Sequence, residues 1–147
     1  MTNPLLPDLG QRTYVMAILN LTLDSFSGIG LLQKAHPLEE TLAQARRFVA
    51  EGADILDLGA ESTRPGARPV SAEMELEALL PVLPLLRQEL PNVVISVDTY
   101  KASVAEACLQ AGAQIINDVW AFQKDEEMAA VVAKHGATVV LMHNRSA

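Results

Sequence analysis

Three tetrapeptides share one grammar and restrict the fold more than anything else in the chain. Gly52-Ala53-Asp54-Ile55, Gly112-Ala113-Gln114-Ile115 and Gly136-Ala137-Thr138-Val139 each follow an amphipathic stretch and precede a short Val/Ile-rich run. Glycine in a left-handed C-cap ends a helix, and a near-continuous apolar run reads as a strand buried on both faces of a parallel sheet. The runs Tyr14–Leu19, Asp54–Leu58, Val93–Val97, Gln114–Ile116 and Thr138–Met142 are expected strands. Pro37–Ala50, Ala72–Leu90, Lys101–Ala111 and Asp125–His135 are expected helices. Leu38, Leu42, Ala45, Phe48 and Val49 would form the apolar face of the first. Ser71 is placed to cap the second, with Glu73, Glu75 and Glu77 near its positive end, and Pro81 and Pro84 predict a kink or break inside it. Alternating strands and helices make an α/β fold of about four βα units plus a fifth strand.

Size and charge narrow the function classes. At 147 residues the chain is one domain, 1–147, and falls short of the roughly 200 to 250 residues of a complete (β/α)₈ barrel. A formal net charge of −7 without a basic run argues against nucleic-acid or anionic-membrane binding. No apolar run approaches the ~18 residues of a membrane span, and Met1-Thr2-Asn3-Pro4 does not start a secretory signal. The single cysteine, Cys108, excludes an internal disulfide and sits on an apolar helix face as inert core. Cytoplasmic residence is the expectation.

In barrels and open α/β sheets the chemistry lies at the C-terminal ends of the strands. Here every strand runs into polar residues: Asn20; Asp57 with Glu61-Ser62-Thr63-Arg64; Asp98-Thr99; Asn117-Asp118; and His143-Asn144. One polar strand end would merely cap a helix or start a turn; five at one rim point to a shared pocket. The hydroxyl- and Gly-rich stretch from Leu21 to Gly30 suits a flap, and its Phe26 is unexplained in a plain surface loop. Arg64 and Arg68 beside Ser62 and Thr63 offer forked donors for phosphate oxygens. Asp98 and Asn117 could read the edge of a flat heterocycle, while Asp98 could equally cap the following helix. Trp120 and Phe122 fit helix packing better than a pocket wall. A GxGxxG fingerprint, a P-loop, an HExxH motif and a Gly-x-Ser-x-Gly elbow are all absent.

Ile18-Leu19-Asn20-Leu21-Thr22-Leu23-Asp24-Ser25-Phe26-Ser27 resembles the first signature of the dihydropteroate synthases, and Asp57-Leu58-Gly59-Ala60-Glu61-Ser62-Thr63-Arg64-Pro65-Gly66 the second. Ile95-Ser96-Val97-Asp98-Thr99, Ile115-Ile116-Asn117-Asp118 and Leu141-Met142-His143 follow in the family's order, so the resemblance runs from Tyr14 to Asn144. It implies the N-terminal portion of a TIM (β/α)₈ barrel of the pterin-binding type, incomplete at the C-terminus. The family condenses 6-hydroxymethyl-7,8-dihydropterin diphosphate with p-aminobenzoate, giving 7,8-dihydropteroate and pyrophosphate in folate biosynthesis, with Mg²⁺ assisting departure of the pyrophosphate. By the same resemblance Asn20 would meet Mg²⁺ or the diphosphate, and Thr63 and Arg64 the pterin diphosphate. Phe26 and Pro65 would form the p-aminobenzoate pocket. Asp98 and Asn117 would hydrogen-bond the pterin, and Met142 would pack beside its ring. Asn20, Thr63, Arg64 and Asp98 are the catalytic candidates.

Leu23 stands where the family usually has Pro, and Gly28-Ile29 where it usually has Asp-Gly. The family's later Asp-Pro-Gly, Ser-Arg-Lys and Arg-x-His segments do not occur. This chain alone is therefore expected to turn over no substrate, and the elements of the family's homodimer are expected outside it. Two rival functions are a non-catalytic half-barrel that binds pterin diphosphate or a partner, and a methyltetrahydrofolate-binding methyltransferase domain. The Ser-Thr-Arg-Pro-Gly stretch argues against the second.

Overall fold

The computed structural model describes residues 4–21, 37–62 and 69–143. Five strands, β1 (Met16–Asn20), β2 (Ile55–Gly59), β3 (Val94–Asp98), β4 (Ile115–Asp118) and β5 (Thr138–Leu141), form one parallel sheet in the order β1-β2-β3-β4-β5. Sequential order without reversal is the order of a barrel wall, whereas a doubly wound sheet reverses at a switch point. The crossovers carry α1 (Pro37–Ala50), α2 (Ala72–Leu79) with α3 (Leu83–Glu89), α4 (Ala102–Gln110) and α5 (Met128–His135). Four βα units and a fifth strand are thus present, as the sequence pattern predicts.

The glycine signal is borne out in atomic detail. Ala53, Ala113 and Ala137 donate backbone N–H bonds to Phe48, Cys108 and Val132, while Gly52, Gly112 and Gly136 donate to Val49, Leu109 and Ala133. This paired pattern is the Schellman motif, and the three glycines hold φ of +104°, +108° and +59°. Ser71 caps α2, its Oγ accepting from Met74 N at 3.3 Å. The expected long second helix does break: α2 stops at Leu79, Pro81 lies in the gap and Pro84 opens α3.

Three expectations need correction. α5 begins at Met128, three residues after Asp125. Asp125 instead spends its carboxylate on neighbours, Oδ2 accepting from Ala102 N at 2.7 Å and Oδ1 from Glu127 N at 3.1 Å. Leu38 is 38% exposed and off the buried face of α1, where Leu42, Ala45, Phe48 and Val49 pack. Glu75 is 1% exposed, so it is an interior residue and no mere complement to a helix dipole.

Strand register sorts the side chains into two faces. Leu19, Leu58, Val97 and Ile116 lie in one row, are fully buried and join the core beneath the helices. Cys108 belongs to that core, and burial pushes its thiol up to about 12. The opposite face changes character from bottom to top. Met16, Ile55 and Val94 form its lowest row, sealed by Leu5 and Leu6 of the N-terminal segment. Asp54 ties that segment down, accepting from Arg12 at 2.8 and 3.1 Å and from Val15 N at 2.9 Å. The middle row holds Ile18, Asp57, Ser96, Ile115 and Thr138, and the top row Asn20, Gly59, Asp98, Asn117 and Val140.

Candidate active site

The top row is the floor of the candidate site. Asp98 and Asn117 are register partners on adjacent strands, and Asn20 lies two strands away across Gly59. A side chain is missing at Gly59, which leaves the space beside the Asp98 carboxyl open: a Cβ there would come within 3.7 Å of Asp98 Cβ. Asn20 is exposed, whereas Asp98 and Asn117 are half-buried. Met142, two residues beyond Val140 on the same face, is 45% exposed, and its N–H donates to the Asp118 carbonyl at 3.3 Å. The structure therefore brings Asp98, Asn117, Asn20 and Met142 to one rim. Phe26, Thr63, Arg64 and Pro65 lie outside the described residues, as do Arg68 and Asn144.

Asp98 does not cap α4. The first N–H of that helix, at Ala102, goes to Asp125, and Lys101 N goes to Thr99 Oγ1 at 3.2 Å. Burial, followed by the charges of Asp57, Glu75, Asp118 and Glu61, pushes the Asp98 carboxyl up to about 7. It can therefore accept or donate a hydrogen bond near neutral pH. Asp118 organises the turn after β4, its Oδ1 accepting from Trp120 N and its Oδ2 from Phe122 N, both at 2.8 Å. Ala121 and Phe122 within that turn have φ of +52° and +66°, a conformation L-residues rarely hold without such support. Phe122 packs on the core, as expected for a packing residue, while the Trp120 ring lies 4.4 Å beneath Lys124 Nζ.

The sequence did not single out an ion network behind the rim. Lys101 Nζ bonds both Glu61 and Glu75, whose side chains are 13% and 1% exposed. Thr99 Oγ1 donates to Glu75 at 3.0 Å, and Tyr100 Oη donates to Glu61 at 3.0 Å. Burial alone would lower the Lys101 pKa, and the bonds to Glu61 and Glu75 raise it instead. Burial pushes Glu75 up against Lys101, while Glu61 ends below its usual range because Lys101 outweighs its desolvation. One ammonium thus joins the residue where the chain leaves β2 to the helix where it returns. The only sequence hint was a glutamate at position 75, four residues beyond the cap and amid apolar neighbours.

Asp57, one row beneath the rim, is 3% exposed and accepts from Asn117 Nδ2 at 3.0 Å. Its register partner Ser96 is close enough to favour the charged carboxyl, yet Asp57 Oδ1 and Ser96 Oγ meet no hydrogen-bond partner among the described residues. Burial raises the Asp57 carboxyl, against the Ser96 hydroxyl and the Asn117 amide. Among the described residues no group of three or more His, Cys, Asp or Glu could hold a metal ion, and no helix is long and apolar enough to cross a membrane.

Residues 16–147 match the family model described as "Pterin binding enzyme". The chain is 50% identical over 135 residues to the dihydropteroate synthase of Bacillus subtilis, covering 92% of this chain and 46% of that protein. It is 44% identical over 138 residues to the dihydropteroate synthase of Clostridium beijerinckii, covering 94% and 50%. Among solved structures, a dihydropteroate synthase from Clostridium difficile in the presence of pteroic acid superposes with a TM-score of 0.85 at 48% identity, over 93% of this chain and 51% of that one. A Xanthomonas albilineans dihydropteroate synthase with 4-aminobenzoic acid gives 0.81 at 41% identity, over 92% and 48%. The chain spans about half the length of the curated relatives it matches. The five-stranded wall is the matching part of the barrel of those synthases.

Proposed function

Because the chain belongs to the pterin binding enzyme family, we propose that it supplies the pterin-reading half of a dihydropteroate synthase site. The reaction joins 6-hydroxymethyl-7,8-dihydropterin diphosphate to p-aminobenzoate. The bond between the pterin methylene carbon and the diphosphate oxygen breaks, a carbon–nitrogen bond to the arylamine forms, and the amine loses a proton. The observation that carries this reading is the top row of the sheet: Asp98 and Asn117 stand side by side at the strand ends with Asn20 on the same face.

Asp98 and Asn117 hydrogen-bond the edge of the pterin, and Met142 covers its ring. Asp57 and Asp118 act on Asp98 from nearby, and the field of the three acids stabilises positive charge developing on the pterin methylene as the diphosphate departs. Thr63 and Arg64 hold the diphosphate, and Phe26 and Pro65 border p-aminobenzoate. Asn20 offers one exposed, neutral amide oxygen. That suits Mg²⁺, a hard ion that takes few protein ligands and fills its shell with water and substrate phosphates. When bound, magnesium supplies charge neutralisation at the leaving diphosphate. The setting of the reaction is the cytoplasm, and the working unit is a homodimer of the family type.

The test combines binding with reconstitution. Pterin diphosphate is titrated into this chain and into its Asp98→Ala variant, and pyrophosphate release is followed after mixing with the C-terminal half of the Bacillus subtilis synthase. The expected result is binding by the parent, at least tenfold weaker binding by the variant, and turnover in the mixture alone. A parent chain that ignores pterin diphosphate, or binds it equally well without Asp98, refutes the proposal.

A further inference from the structure

We infer that Asp57, buried beneath the rim, is a positioning residue that fixes which way the Asn117 amide faces and so selects ligands presenting a hydrogen-bond donor to Asn117 Oδ1. The inference deepens the pterin reading and rests on it for the identity of the ligand.

An ionised carboxylate only accepts hydrogen bonds, whereas an Asn amide donates through nitrogen and accepts through oxygen. Asp57 Oδ2 lies 3.0 Å from Asn117 Nδ2. The reverse amide orientation would set two acceptors against each other inside the sheet face, where an unmet polar group is costly. The bond therefore leaves Oδ1 and one N–H as what Asn117 can offer elsewhere. Beside it on the same row, the Asp98 carboxyl is a second acceptor when ionised. Two adjacent acceptors match a heterocycle edge that presents adjacent N–H and NH₂ donors, as a 2-amino-4-oxopyrimidine ring does.

Asp57 is well placed for this duty and poorly placed for any other. At 3% exposure it cannot touch a ligand on the rim. Its middle row is otherwise Ile18, Ser96, Ile115 and Thr138, so no cation there accounts for a buried acid. Its charge also acts on Asp98, which faces Asp57 from β2, Glu61 after it, Glu75 from α2 and Asp118 from β4. One buried acid thus bears on both residues assigned to the pterin edge.

The experiment uses 6-carboxypterin and its counterpart in which the 2-amino donor is replaced by a 2-oxo acceptor, titrated by fluorescence into the parent chain and the isosteric Asp57→Asn variant. The amide introduced by that substitution can face Asn117 with either end, so the Asn117 side chain is released. The parent is expected to prefer the amino probe about tenfold, and the variant to narrow that preference to about twofold. Equal weakening of both probes with the preference intact overturns the inference, because that is what loss of packing alone would do. A second readout needs neither ligand nor variant: in the ¹⁵N-labelled parent, an Asn117 Nδ2 proton should exchange slowly with solvent. Free exchange overturns the inference. If neither probe binds while that proton stays protected, the pterin reading falls and the Asp57–Asn117 lock stands.

Discussion

Replacing Lys101 by methionine removes the ammonium shared by Glu61 and Glu75 while keeping most of the apolar stem. Glu75 is 1% exposed and Glu61 13%, so water cannot take over fully from the lost partner. Removing one member of a buried ion pair costs about 3–5 kcal/mol. Thr99 still donates to Glu75 and Tyr100 to Glu61, which favours the lower end, about 3 kcal/mol. For a domain near 150 residues that corresponds to a fall in Tm of about 6–12 °C. The assay is urea unfolding followed by far-UV circular dichroism, with thermal melts alongside. Adding Glu75→Gln to Lys101→Met removes the stranded charge and should recover more than half of the loss. The Glu75 carboxyl is already raised by burial, and without Lys101 it rises further. A raised acid binds protons more readily when folded, so the deficit of the single variant should shrink as pH falls through that folded value. A single variant within about 1 kcal/mol of the parent would refute the reasoning, since that is the range of exposed ion pairs.

Asp98→Asn should flatten the pH dependence of stability between the ordinary value of 3.8 and about 7, and should stabilise the chain at pH 8. The parent binds the extra proton only when folded in that window, so its stability falls as pH rises; melts from pH 4 to 8 check the sign. Gly112→Ala should lower stability by about 1–2 kcal/mol, because φ is +108° and the new methyl meets Arg87 Cγ at 3.1 Å. Asp118→Ala should cost about 2 kcal/mol in urea unfolding by stripping the acceptors from Trp120 N and Phe122 N, and should weaken pterin binding through the turn beside Asn117.

The sequence made the helices and strands legible because each rests on local physics: apolar runs for strands, Gly52, Gly112 and Gly136 for helix ends, and Pro81 and Pro84 for the break between α2 and α3. It also exposed the rim residues Asn20, Asp98 and Asn117, since strand ends can be counted from the pattern. What stayed hidden is non-local. Whether Asp57 points up, down or into the helices depends on register with β1 and β3. The tie of Lys101 to Glu61 and Glu75 depends on the segments after β2 and β3 converging with helix α2. Asp125 reads as a helix start because acids favour that place, yet the nearer demand was the free N–H of Ala102.

The sequential strand order also sets a schedule for folding. Each strand pairs with its predecessor in the chain, so the wall can be laid down one βα unit at a time as the polypeptide leaves the ribosome. The exception is the N-terminal plug. Leu6 clusters with Ile55 and Ile115, residues from β2 and β4, so the segment that precedes β1 completes its packing only after the fourth strand has arrived.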